Sequence, residues 1–99
     1  MDTRETLIEA IDEKKLVNFN YENHPIRKAA PHAIYWSKQN KENLDAFQYE
    51  GFSKTGNLPN WRNFTLSKIQ NLEILGENFE VADGYKSYSE KYSRSVHKI

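Results

Sequence analysis

Hydrophobic and polar positions repeat with two different periods along the 99 residues of the chain, and the change of period predicts its elements. In the first segment, TRETLIEAIDEKK, Leu7, Ile8 and Ile11 fall at i, i+1 and i+4, which is the one-sided apolar stripe of an amphipathic helix. Thr3 is the candidate N-cap residue. We therefore predict a short helix over residues 3–14 that covers an open end of a sheet.

After this helix the period becomes two, which is the period of a half-buried strand. The stretch LVNFNYE places Val17, Phe19 and Tyr21 on one side and polar residues on the other. Pro25 marks a tight turn, so a hairpin follows. The next stretch, IRKAAPHAIYWSK, resumes strand character, and Pro31 inside it predicts an edge, a bulge or a bend.

The middle of the chain predicts further strands separated by one long loop. LDAFQYEGF has apolar residues on both faces, which suits a strand of a closed barrel, and SKTGNLPNWR has the glycine and proline of a loop. In RNFTLSKI, the apolar positions Phe64 and Leu66 are followed by Ile69 at an odd step. The extra residue predicts a bulge or a one-turn corner that presents Lys68 to solvent.

The C-terminal segment YKSYSEKYSRSVHKI has apolar residues at steps of three and four, which is the helical period. These residues are Tyr85, Tyr88, Tyr92, Val96 and Ile99. We predict a helix over residues 85–99 whose tyrosines pack onto the barrel or onto a second copy of the chain. The predicted fold is mainly β (α+β), a small SH3-like or Sm-like five-stranded barrel over residues 16–79 between an N-terminal and a C-terminal helix, in one domain over residues 1–99.

Composition narrows the possible functions. The chain has no cysteine, which excludes disulfides and thiolate metal sites, and no apolar run approaches the roughly 20 residues that cross a bilayer. We therefore expect a cytoplasmic protein without a membrane partner. The formal net charge is zero, but residues 25–68 carry seven Lys and Arg against three Asp and Glu, which predicts a local basic face.

No catalytic or metal-binding pattern is present in the sequence. His24, His32 and His97 are scattered without the spacing of metal ligands, and there is neither a nucleophile elbow nor a glycine-rich phosphate loop. We therefore expect no metal, no cofactor and no enzymatic activity.

The order of these signals is similar to that of the WYL domain family, over residues 7–79. The matching pieces are EAI at residues 9–11, VNFNY at residues 17–21, Arg27 and Pro31 in IRKAAP, Arg62, Phe64, Leu66 and Ile69 in RNFTLSKI, and Phe79. Three places depart: Ser67 replaces an acid, Lys68 replaces an arginine, and of the Trp-Tyr-Leu tripeptide only Leu44 is kept. The resemblance implies a regulatory module of bacterial proteins that senses a ligand or binds nucleic acid, commonly fused behind a winged helix-turn-helix.

Tyr21, Arg27, Arg62 and Lys68 stand at ends or corners of strands that would be neighbours in such a barrel. Cations beside an aromatic ring suit phosphates and bases together. Trp61, next to Arg62, either stacks a base or anchors the long loop in the core.

Two functions of different class follow. In the first, this basic surface binds a single-stranded oligonucleotide or a nucleotide-type anionic ligand. In the alternative, the chain is a protein-interaction or oligomerisation module that forms a homodimer or binds a partner protein through the tyrosines of the C-terminal helix and any open strand edge. Arg27 and Arg62 then make only ordinary surface salt bridges.

Overall fold

The computed structural model describes residues 2–53 and 56–99, so the two positions 54 and 55 of the predicted long loop and the first residue of the predicted domain lie outside the described residues. The described residues form one α-helix, six strands and two single turns of 3-10 helix. In chain order these are α1 (Thr3–Glu13), β1 (Lys15–Tyr21), β2 (Arg27–Trp36), β3 (Glu42–Gly51), β4 (Asn60–Thr65), the first 3-10 turn (Leu66–Lys68), β5 (Ile69–Asn78), the second 3-10 turn (Glu90–Tyr92) and β6 (Ser95–Lys98).

The predicted N-terminal helix is confirmed as α1, with a different cap. The Asp2 carboxylate accepts a hydrogen bond from the Glu5 N–H at 2.8 Å, so Asp2 and not Thr3 is the N-cap residue. Lys14 ends the helix in the left-handed conformation, with φ 51°. The apolar stripe of α1 is buried against the sheet.

All neighbouring strands of the sheet are antiparallel, in the order β4-β3-β2-β1-β5. β1 pairs with residues 27–29 of β2, as the predicted hairpin requires, and β6 pairs with residues 33–35 of β2. β1 and β6 therefore share one edge of β2. The register of β2 against β3 shifts between Pro31 and Ala33, which is an irregularity at the place where Pro31 predicted an edge, a bulge or a bend.

The prediction of a closed barrel is wrong. β4 and β5 lie at opposite ends of the strand order, and in the described residues β4 pairs only with β3 and β5 only with β1. The 3-10 turn Leu66–Lys68 confirms the predicted one-turn corner between them. At this corner the Thr65 N–H donates to the Tyr21 hydroxyl at 2.8 Å, so a side chain takes the place that a strand partner would fill in a closed barrel.

The prediction of a C-terminal helix is also wrong, because residues 85–99 contain only the second 3-10 turn and β6. The segment instead satisfies its backbone on the open part of the β2 edge. Tyr85 and Tyr92 pack against Ala33 and Tyr35, while Tyr88 is 81% exposed. Contact with the sheet has therefore overridden a weak helical pattern that contains several serines.

Two apolar clusters lie on the two faces of β2. Ala29 belongs to the main core, which α1 covers and which includes Phe19 and Phe64, whereas Ala30 belongs to a smaller cluster with Phe79 on the other face. Adjacent strand residues point to opposite faces, so β2 is buried on both sides. Trp36, the last residue of β2, is 38% exposed.

Candidate anion-binding site

Arg27 is the centre of the candidate site. β1 ends at Tyr21 and β2 begins at Arg27, so the hairpin brings these two side chains together. Only 6% of Arg27 is exposed, and its guanidinium carbon lies 5.3 Å from the ring centroids of Tyr21 and Phe52 and 5.4 Å from that of Phe64. A cation at this distance from ring faces is stabilised by cation–π attraction.

No ion pair with a described residue neutralises the charge of Arg27. Within residues 2–53 and 56–99, no salt bridge to Arg27 is found and its Nε has no hydrogen-bond partner. Burial lowers the pKa of Arg27, Tyr21 and Glu22 raise it, and the positive charge of Arg62 lowers it again. A buried cation without a carboxylate partner is costly, and an anion bound beside it would offset that cost.

Arg62 is held near Arg27 by the long loop. Its Nη1 donates to the carbonyl oxygen of Trp61 at 3.0 Å, and its Nη2 donates to the Ser53 hydroxyl at 2.8 Å and to the carbonyl oxygen of Asn57 at 3.4 Å. These contacts fix the orientation of the guanidinium. The long loop therefore positions a second cation close enough to Arg27 to disfavour its charge.

Gly51 allows the backbone of β3 to approach Arg27 closely. Gly51 pairs with Arg27, has φ 103°, and a Cβ atom there would lie 2.2 Å from the carbonyl oxygen of Ile26. No other residue type fits this position without a backbone shift. The glycine thus permits the local geometry in which Arg27 is buried.

Lys68 lies at the corner between β4 and β5, and 46% of its side chain is exposed, as predicted. Its Nζ is 3.3 Å from the Glu22 carboxylate, and the Glu22 N–H donates to the Lys68 carbonyl oxygen at 3.2 Å. Because Glu22 also acts on Arg27, Lys68 belongs to the same end of the sheet. An exposed ion pair of this kind contributes about 1 kcal/mol or less, so a ligand can compete for Lys68.

The Trp61 ring packs away from Arg27, although Trp61 adjoins Arg62 in sequence. Adjacent residues of a strand face opposite sides, and the Trp61 ring packs against His32, Phe47 and Tyr85. Its indole N–H donates to the carbonyl oxygen of Asp83 at 2.8 Å. The arrangement has the geometry of an anchor, and a base-stacking role of Trp61 at the Arg27 site stays a prediction.

An aromatic pair that sequence reasoning missed lies beside Arg27. The rings of His24 and Phe52 are stacked, with centroids 4.3 Å apart and an interplanar angle of 18°, and both side chains are half-buried. His24 lies in the β1–β2 turn and Phe52 directly follows β3. The signal available in the sequence was the position of each ring shortly after the end of a strand.

Two buried polar residues on the opposite face were also missed. Asp45 is 4% exposed and His32 is fully buried. Both interrupt apolar stretches, at LDA and PHA, which is the pattern of a polar side chain with partners inside the structure. Neither forms part of the Arg27 site.

The burial of His32 leads us to expect a specific pH dependence of the free energy of unfolding. Its Nε2 accepts from the Ala82 N–H at 3.0 Å and its Nδ1 lies 2.8 Å from the Ala30 carbonyl oxygen, so the buried ring is neutral and carries its proton on Nδ1. Burial lowers the pKa of His32, partly offset by Ala30 and by Asp45.

A histidine whose pKa is lower in the folded than in the unfolded state stabilises the fold above the unfolded pKa and loses that contribution as the pH falls. We expect the free energy of unfolding to fall below about pH 6.5, with a slope of up to about 1.4 kcal/mol per pH unit from this group. Urea denaturation between about pH 7.5 and 5 measures this slope. His32→Gln should reduce this slope relative to the native protein; an unchanged slope would refute the assignment.

Two further features of the described residues bear on function. No helix in residues 2–53 and 56–99 is long and apolar enough to span a bilayer. Among the same residues, no three His, Cys, Asp or Glu side chains are grouped as ligands for a metal ion.

Comparison with known proteins identifies a similar fold. No family model and no curated protein matches the chain. Among solved structures, proteasome accessory factor B/C of Arthrobacter aurescens is similar, with a TM-score of 0.69 and 15% sequence identity over 87% of this chain. The match covers 13% of that chain. The similarity is one of fold, and it supports at a distance the WYL-like fold that the motif order predicts.

Proposed function

We propose that this chain is a WYL-like, ligand-sensing module of the cytoplasm that binds a single-stranded oligonucleotide or a nucleotide-type anion without catalysing a reaction. The binding residues are Arg27, Arg62 and Lys68, with Tyr21 packed against Arg27. The distant similarity of fold and the order of the WYL-like motifs support this proposal.

The observation that carries the proposal is the buried guanidinium of Arg27, which has no salt-bridge partner among the described residues and has a second arginine near it. Two neighbouring cations destabilise each other, and the effect is larger where water is excluded. An anion beside Arg62 would interact with both charges at once. A bound anion would therefore reduce the repulsion between the two arginines and stabilise the folded protein.

A phosphate joined to a base fits the surroundings of Arg27 better than a simple anion does. The planar guanidinium of arginine matches phosphate oxygens in two parallel hydrogen bonds. The stacked rings of His24 and Phe52 adjoin the guanidinium and offer an aromatic surface on which a base can stack. Charge and stacking surface together favour a single strand over a duplex, whose bases are already stacked.

The alternative function, association with a protein through the C-terminal tyrosines, has less support. One of its two routes depended on a helical face formed by Tyr85, Tyr88 and Tyr92, and residues 85–99 form no such helix. Tyr85 and Tyr92 pack against the sheet instead. The other route, pairing at an open strand edge, is left to the end strands β4 and β5. The anion site is therefore the function that the geometry favours.

Anisotropy of a fluorescein-labelled oligodeoxythymidine, titrated with the protein, tests the proposal. Three phosphate contacts to a single strand predict a slope of about −2 in log affinity against log salt concentration, or roughly a 15-fold loss between about 50 and 200 mM salt. Arg62→Ala should weaken binding at low salt about tenfold, because it removes a charge-assisted contact.

Lys38→Ala is the matched control, since Lys38 follows the end of β2 opposite to Arg27. It should leave the affinity unchanged within about twofold. Absence of binding at low salt, or equal losses in Arg62→Ala and Lys38→Ala, would contradict the proposed site.

A further inference from the structure

A cleft of about 300 Å³ lies between the strands β3 and β4 and the C-terminal segment, away from Arg27. Its lining includes Asp45, Trp61, Asn63, Tyr85, Lys91 and Tyr92. Trp61 and Asn63 alternate along β4 with Phe64, so these two residues of the cleft lie on the face of the strand opposite to Phe64 and the buried Arg27. Arg62, which belongs to the Arg27 site, also lines the cleft.

The base of the cleft is a carboxylate whose acceptor positions are all in use. Asp45 Oδ1 accepts from the Tyr35 hydroxyl at 3.1 Å and from the Asn63 amide at 2.9 Å. Its Oδ2 accepts from the Tyr92 hydroxyl at 2.7 Å and pairs with the Lys91 ammonium at 2.6 Å. Burial raises the pKa of both tyrosines, so their hydroxyls remain protonated donors.

Asp45 is therefore not available to a ligand, and its effect is to hold Lys91 in place. An ammonium has three N–H donors, of which Asp45 takes one. The Lys91 side chain is 49% exposed, and its Nζ lies 5.6 Å from the ring centroids of Tyr35 and Tyr92. The lysine is thus pre-oriented with donors that a molecule in the cleft can reach, which lowers the entropy cost of binding.

The wall of the cleft is a fixed aromatic surface. The rings of Trp61 and Tyr85 are 6.3 Å apart at an angle of 26°, the indole N–H is bonded to Asp83, and the Tyr85 hydroxyl donates to the Ile99 carbonyl oxygen at 2.9 Å. Gly84 has φ 91°, and a Cβ atom there would lie 3.0 Å from the indole nitrogen. A glycine at this position lets the backbone pack against Trp61.

The charge of the lining selects the sign of the ligand. Within the described residues, Arg62, Lys86 and Lys91 line the cleft against the single acid Asp45. An amine ligand would have to displace Lys91 from Asp45, whereas an anion can bind Lys91 without breaking that pair. The volume is at the lower end of the range for small-molecule sites, which suits one or two fused rings and not a nucleic-acid strand.

We propose that this cleft is a second binding site, for a small planar aromatic compound that carries one carboxylate or phosphate group. The anionic group binds the Lys91 ammonium with help from Lys86, and the ring lies against Trp61 and Tyr85. The site does not depend on the proposed binding of an oligonucleotide at Arg27.

Proton–nitrogen NMR of the intact chain tests this site through the indole N–H of Trp61. The probes are 2-naphthoate, 2-naphthyl phosphate, the neutral 2-naphthamide and the cationic 2-naphthylmethylammonium. We expect saturable shifts of the Trp61 signal with at least one anionic probe. The neutral and cationic probes should bind at least about tenfold more weakly than that anionic probe. The two anionic probes distinguish a carboxylate from a phosphate ligand.

Variants locate the binding. Lys91→Met should weaken the anionic probe about tenfold, Lys91→Arg should retain most of the affinity, and Lys86→Met should weaken it about threefold. Lys86→Met leaves the Asp45 contacts intact and keeps the test valid if Lys91→Met fails to fold. Lys41→Met, outside the cleft, and Arg27→Met, at the other site, should leave the affinity unchanged.

Three results would overturn the proposal. They are the absence of a saturable shift with both anionic probes, tighter binding of the cationic probe than of the anions, and an affinity for the anions that neither Lys91→Met nor Lys86→Met reduces. Loss of oligodeoxythymidine binding in Arg27→Met together with retained naphthyl binding would support two separate sites.

Discussion

Phe64→Ala is expected to lower the free energy of unfolding by about 3–5 kcal/mol, the range for a buried phenylalanine. Phe64 is 1% exposed, and its ring makes edge-to-face contacts with Phe19 and Tyr21, each at a centroid distance of 4.9 Å. The variant leaves a cavity beside the two rings of β1 that Phe64 contacts. Urea denaturation followed by circular dichroism measures the loss.

Phe52→Ala is the matched control, because Phe52 also contacts the Arg27 guanidinium but is only half-buried. Its cost should be less than half that of Phe64→Ala, since less apolar surface is lost from the interior. A cost of Phe64→Ala near or below about 1 kcal/mol would show that the packing around Arg27 is not as described.

Arg27→Met should raise the stability of the ligand-free protein and weaken its binding of oligodeoxythymidine. Methionine fills a similar elongated space and packs well against aromatic rings, while it removes a buried charge that lacks a salt-bridge partner in the described chain. Desolvation of such a charge costs several kcal/mol, and cation–π attraction returns only part of it. We expect the ligand-free variant to be about 1–2 kcal/mol more stable than the native protein.

The same variant should bind oligodeoxythymidine at least about 30-fold more weakly, because both the charge and the hydrogen-bonding fork are lost. Arg27→Lys is the control that keeps the charge and removes the fork. It should bind with intermediate affinity and show no gain in stability. Chemical denaturation and anisotropy on the same three proteins provide both quantities.

The local features of the fold could be predicted from the sequence because each depends on neighbouring residues. The stripe of Leu7 and Ile11 predicted α1, and the alternation before Pro25 predicted the β1–β2 hairpin. Pro31 predicted an edge, a bulge or a bend, and the register of β2 shifts there. The odd step between Leu66 and Ile69 predicted the corner that became a 3-10 turn.

The wrong predictions concern contacts between distant parts of the chain. Apolar residues on both faces of a strand fit a closed barrel, but they fit equally an open sheet with α1 on one face and residues such as Phe79 on the other. The tyrosine spacing fits a helix, but Tyr85 and Tyr92 at those positions also reach the same cluster from an irregular segment. Periodicity alone does not distinguish these arrangements, because the choice depends on the open edge of β2.

The candidate site was likewise predictable where it depends on local sequence and not where it depends on contacts between distant residues. Because Tyr21 and Arg27 stand at predicted strand ends, the sequence correctly placed their side chains together. The predicted corner correctly placed Lys68 at the surface. Trp61 was grouped with Arg62 by proximity in sequence, although the alternation that puts Phe64 in the core already places Trp61 on the other face. The network around Asp45 was not predictable, since it joins residues from β2, β3, β4 and the C-terminal segment.

The most direct test of the anion site is the free energy of unfolding of the native protein and of Arg27→Met, each measured with and without oligodeoxythymidine. At about 100 times its dissociation constant, the ligand should stabilise the native protein by about 2.7 kcal/mol. It should stabilise Arg27→Met by less than about 1 kcal/mol, because that variant binds at least about 30-fold more weakly, and the variant should be the more stable of the two without ligand. An Arg27→Met protein that is less stable than the native one, or that the oligonucleotide stabilises equally, would contradict the account.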